Sequence, residues 1–82
     1  MSRRYQEAIT VTLQGERLTS FTWRGNTYRI RVIANWRLAA RWWSAEHAAN
    51  RHYYRVMTAD CQVFEVYHDQ VSGAWILDTC LD

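Results

Sequence analysis

Eighty-two residues, 49% of them hydrophobic and 22% charged, make one globular domain with a single core and exclude a disordered chain. No apolar run nears the ~18 residues of a membrane span, and MSRRYQEAIT lacks the apolar stretch of a signal peptide, so a cytoplasmic protein without membrane contact is expected. The formal charge of +2 is the balance of +7 over residues 1–55, which hold all ten Arg against Glu7, Glu16 and Glu46, and −5 over residues 56–82.

The first element in chain order is Ile9-Thr10-Val11-Thr12-Leu13, which alternates with period two and stops at Gln14-Gly15-Glu16, a strand followed by a turn. Leu18 to Arg24 and Thr27 to Val32 are two more alternating runs, separated by Gly25-Asn26, a pair that tolerates the positive φ of a tight hairpin. With those two residues as the loop, Trp23 lies opposite Tyr28 and Phe21 opposite Ile30. Phe21, Trp23, Tyr28, Ile30 and Val32 then share one apolar face, and Ser20, Thr22, Arg24, Arg29 and Arg31 form a polar, positive one. Leu38, Trp42, Ala45 and Ala49 recur at helical spacing among good helix formers, which predicts a short helix near 40–49 capped by Asn50. Tyr53–Thr58, Gln62–His68 and Trp75–Leu81 complete the set as strands, joined by turns at 59–61 and 70–73. The expected fold is mainly β (α+β): one domain over 1–82, a small antiparallel sheet or partly closed barrel of about six strands with one short helix.

Catalytic chemistry needs a constellation of residues, and none is legible. Gly15, Gly25 and Gly73 fall in turns rather than in a phosphate-cradling loop, and no serine sits in a nucleophile-elbow context. His47 and His52 are five residues apart, which places them on different helical faces, beside Glu46. Cys61 and Cys80 form no closely spaced ligand pair and read as inert thiols. The expectation is a protein that is not an enzyme and carries neither cofactor nor metal.

The basic aromatic stretch says more. Trp23, Tyr28, Trp36, Trp42, Trp43, Tyr53 and Tyr54 are interleaved with Arg24, Arg29, Arg31, Arg37, Arg41, Arg51 and Arg55. Aromatic faces that stack on bases and guanidinium groups that neutralise phosphates are the chemistry of single-stranded nucleic-acid binding. Packing of the same rings in a small core, with solvated Arg, is the plainer account. The residues singled out for nucleic acid are Arg24, Arg29, Arg31, Arg37, Arg41 and Trp43. Trp42 and Trp43 are adjacent and cannot both point into a small core. An exposed aromatic patch with open sheet edges would instead suit a protein partner or self-association.

Trp23-Arg24-Gly25, Tyr28-Arg29-Ile30, Val32-Ile33, Trp36, Trp42-Trp43, Tyr53-Tyr54-Arg55-Val56 and Trp75-x-Leu77, in that order, resemble a small bacterial domain of unknown function found as free-standing proteins. The same series is similar to the C-terminal segment of the catalytically degenerate Y-family DNA polymerase homologues of bacterial mutasomes. The resemblance covers about Phe21 to Leu81. It implies an accessory module near damage-tolerant DNA synthesis, which acts by binding single- or double-stranded DNA or a DNA-processing protein. It brings no catalytic residues, and residues 1–82 contain no polymerase-like body.

Overall fold

The computed structural model describes residues 3–40 and 49–81. Seven strands, β1 (Arg3–Ala8), β2 (Thr10–Gln14), β3 (Arg17–Trp23), β4 (Asn26–Ala40), β5 (Ala49–Thr58), β6 (Val63–Asp69) and β7 (Trp75–Cys80), form one antiparallel sheet. Their spatial order is β1-β7-β6-β5-β4-β3-β2. Strands two to seven are therefore a meander, and β1 returns to pair with β7. Only Ile9, whose N–H donates to the Trp75 carbonyl at 3.0 Å, separates the two outermost strands. A sheet whose outer strands are halves of one segment has to curl, and the result is a half-barrel.

Three sequence expectations are corrected. β1 adds a seventh strand: its partner lies some seventy residues away, a pairing that no local pattern announces. Among the described residues there is no helix. Ala40 and Ala49, the ends of the expected one, are paired strand residues, and Leu38 lies opposite Arg51; residues 41–48, the body of that expected helix, lie outside the described residues. Helix propensity is a weak preference that a long cross-strand ladder overrides. Finally, the β3–β4 loop is Arg24-Gly25 rather than Gly25-Asn26: Trp23 pairs with Asn26 and Phe21 with Tyr28. Arg24 and Gly25 have φ of +52° and +78°, the two left-handed positions of a type I′ turn. The slide moves each partner by two positions along β4, so side chains keep their faces.

The core confirms that face. Leu18 and Phe21 of β3 close over Val56, Phe64, Val66 and Leu77 of β5–β7, with Trp23, Tyr28, Ile30 and Val32 packed around them. Phe21 meets Tyr28 at 5.2 Å and Phe64 at 5.6 Å between ring centroids. β3 follows β4 only as far as the Ser20–Arg29 pair. Among the described residues, β4 from Ile30 onward is paired on one side alone, with β5. No helix among the described residues is long and apolar enough to cross a membrane.

Both cysteines are free thiols, Cys61 exposed and Cys80 half-buried. Cys61 holds φ at +67° in a turn tied by its N–H to the Thr58 carbonyl at 3.1 Å. A side chain in the left-handed region costs about 1–2 kcal/mol, partly offset by glycine's larger unfolded-state entropy. Cys61→Gly is therefore expected to raise folding stability by about 1 kcal/mol, read as a higher denaturation midpoint. The Cys61→Ala/Cys80→Ala protein should still fold cooperatively.

Candidate nucleic-acid interface

The register of β4 shifts between Val32 and Ala34, so that Val32 faces Val56 and Ala34 faces Arg55. Ile33 is the extra residue of a β-bulge, and past it the alternation of β4 reverses. Before the bulge, Ile30 and Val32 face the core and Arg29 and Arg31 face out. After it, Trp36 and Leu38 face out, paired with Tyr53 and Arg51. The outer face of β4–β5 therefore carries Arg29, Arg31, Trp36 and Leu38 beside Met57, Arg55, Tyr53 and Arg51. This run, from Met57 to Arg51 along β5, is roughly 20 Å long at ~3.3 Å per residue.

The rings on this face are ordered. Trp36 and Tyr53 stack in parallel, 5.5 Å apart with planes 1° from coincidence. Tyr53 leans on Tyr67 at 5.1 Å. The Arg55 guanidinium lies 5.6 Å from the Trp36 ring centre, and that of Arg51 lies 4.6 Å from that of Tyr67. Arg51 Nη1 also donates to the Tyr53 hydroxyl at 3.4 Å. Trp36 is 38% exposed, Ile33 45% and Leu38 44%, a large apolar exposure for one strand face.

Charge is distributed to match. Arg24 pairs with Glu7 at 2.6 Å, Arg55 with Glu65 at 2.7 Å, and Arg4 approaches Asp78 at 3.9 Å. Among the described residues Arg17, Arg29, Arg31 and Arg37 form no ion pair. Part of the charge asymmetry of the chain is thus neutralised internally, and part is left for solvent or a ligand. Arg29 and Arg31 line a shallow cleft of about 370 Å³ with Met57, Thr58, Ala59 and Cys61. Arg17 joins Arg31 in a second cleft of about 220 Å³, which opens where β3 and β4 part.

The six residues picked from sequence do not form one site. Arg29 and Arg31 share the outer face. Arg37 falls on the opposite, core-facing side because of the bulge. Arg24 occupies the hairpin tip, where Glu7 holds it 4.6 Å over Trp23. Arg41 and Trp43 lie outside the described residues. Sequence reasoning passed over Trp36, Tyr53, Arg51 and Arg55 as a set; all four belong to the interleaved stretch, but only the bulge brings them onto one face.

Gln6 accepts from the Tyr67 hydroxyl at 3.3 Å and donates to the buried Asp78 carboxylate. This polar cluster closes the β1 end of the aromatic row. Among the described residues no group of three or more His, Cys, Asp or Glu is placed to hold a metal.

A family model described as a domain of unknown function, DUF6504, matches residues 1–82. No curated protein and no solved structure matches the chain.

Proposed function

We propose that this chain, which belongs to the DUF6504 family, is a non-enzymatic module that binds single-stranded DNA across the outer face of β4–β5. The observation that supports this most is the parallel Trp36–Tyr53 stack framed by Arg29, Arg31, Arg51 and Arg55. Rings of this kind offer π-faces to unstacked bases, and the guanidinium groups beside them, those of Arg29 and Arg31 without an ion pair among the described residues, track a phosphate backbone. A duplex hides its base faces, so the ring pair favours a single strand. The resemblance of the motif series to mutasome polymerase homologues supports a role as an accessory to DNA processing in the bacterial cytoplasm.

One feature favours a protein partner instead: among the described residues β4 beyond Arg29 has a free edge, flanked by exposed Ile33 and Leu38 and without Pro or Lys to blunt it. Salt separates the two readings. Binding of a labelled single-stranded oligonucleotide to the full chain should weaken steeply with salt, and Arg29→Ala/Arg31→Ala should make the slope shallower by ~0.7 for each phosphate that is no longer neutralised. Thermal stability of that variant should hardly change, since solvated charges contribute little. Absence of affinity for single- or double-stranded DNA or RNA at low salt would sink the nucleic-acid reading and leave the free edge as the working surface.

A further inference from the structure

The bulge at Ile33 has a second effect, on the other side of the sheet. Arg37 lies opposite His52, His52 opposite His68, and His68 opposite Trp75. One register row across β4, β5, β6 and β7 thus lines up a guanidinium, two imidazoles and an indole. By alternation, the row lies on the side that holds Val56 and Phe64, beyond the part of the core that the β3–β4 hairpin covers.

The imidazoles are held in fixed orientations. His52 stacks on Tyr54 at 4.4 Å and 9°, and His68 on Trp75 at 4.4 Å and 6°. His52 Nε2 lies 3.2 Å from Asn35 Oδ1 and donates to it, and Gln70 Nε2 donates to His68 Nδ1 at 2.9 Å. Those bonds fix the tautomers. His68 is left with an Nε2–H donor, and His52 gains a free Nδ1–H donor when it is protonated. Facing His52 are Asn35 and Arg37 from β4, His68 from β6 and Tyr54 from its own strand; facing His68 are His52, Trp75 and Gln70. Among the described residues no carboxylate joins this row. The nearest in sequence, Asp69, accepts from the Val71 and Ser72 N–H groups at 2.9 and 3.3 Å.

We propose that Arg37, His52 and His68 bind a phosphate-type oxyanion on this side of the sheet and that binding draws a proton onto His52. The site is separate from the outer face and does not depend on it. In the free protein, burial first, then Arg37 and His68, hold His52 below its ordinary value, so the imidazole is largely neutral at pH 7. An anion seated among the three groups offsets that repulsion and raises the value. The bound form then holds more protons than the free form, so affinity rises as pH falls through the bound-state value and levels off below the free-state one. Phosphate chemistry of this kind has two sources, the free anion and the phosphodiester of a nucleic acid.

The test is an NMR titration of the imidazoles in the full chain. Sulfate is the first probe because it remains a dianion over the whole histidine range, about pH 5–8. Saturating sulfate should raise the His52 value by about one unit, equivalent to about tenfold tighter binding of the protonated form. In Arg37→Ala that response should vanish. Inorganic phosphate and a short single-stranded oligonucleotide, each added to the Arg29→Ala/Arg31→Ala protein, then identify the source: a shift with phosphate alone assigns the free anion, and a shift with the oligonucleotide assigns the phosphodiester. A His52 titration indifferent to sulfate, or a response that survives in Arg37→Ala, overturns the proposal. Because the second arm lacks Arg29 and Arg31, failure of the outer-face reading does not register here.

Discussion

Phe21→Ala is expected to cost about 3–5 kcal/mol of folding stability, the range for truncating a fully buried aromatic. Phe21 is 0% exposed and is the main contact through which the β3–β4 hairpin grips the rest of the sheet, stacked on Tyr28 and edge-on to Phe64. Its removal takes away the transfer free energy of the ring and leaves a cavity between β3 and β6. Domains of this size have only about 5–15 kcal/mol in all, so the variant should show a large drop in denaturant midpoint or fail to accumulate. Phe21→Leu, which retains most of the volume, should be recoverable and intermediate. A Phe21→Ala protein with an unchanged midpoint would mean that the hairpin does not close over the core.

Trp36→Ala is expected to weaken single-stranded DNA binding by about 5- to 150-fold, the equivalent of ~1–3 kcal/mol for the removal of one base stack. The ring is 38% exposed and lies flat against Tyr53 on the outside of the sheet, so folding stability should fall far less than for Phe21→Ala. Stacking involves no counterion, so the salt slope should stay at the wild-type value. That separates Trp36→Ala from Arg29→Ala/Arg31→Ala, which changes the slope. Anisotropy of a labelled oligonucleotide is the suitable readout, since the substitution removes one of the protein's own five Trp. Wild-type affinity in Trp36→Ala would remove the outer face from the account of binding.

The alternation of Leu18–Trp23 and Tyr28–Val32 identified the apolar face of the hairpin, and the three glycines marked the turns at Gly15, Gly25 and Gly73, all of which have positive φ. Local chemistry decides such features: a period of two sorts side chains onto faces, and glycine accepts a left-handed backbone. The hairpin register is not settled by local pattern, because two loops fit the same sequence, Arg24-Gly25 and Gly25-Asn26. Placing Arg24 at φ +52° costs free energy, set against its bonds to Glu7, 17 residues away.

A mainly β, single-core chain, the strands around Phe21, Val56, Phe64 and Leu77, and the surplus of Arg in the first two thirds are all legible in residue patterns and composition. How that surplus is divided depends on the three-dimensional fold. Without a bulge, Arg29, Arg31 and Arg37 would alternate onto one face of β4. The extra residue at Ile33 sends Arg37 to the histidine row and brings Trp36 out beside Tyr53. A bulge leaves no mark in a hydrophobic pattern, because it depends on how β4 must bend to pair with β3 at one end and β5 at the other. The return of β1 to β7 has the same origin: it follows from the curl of the whole sheet, which joins residues that the sequence holds far apart.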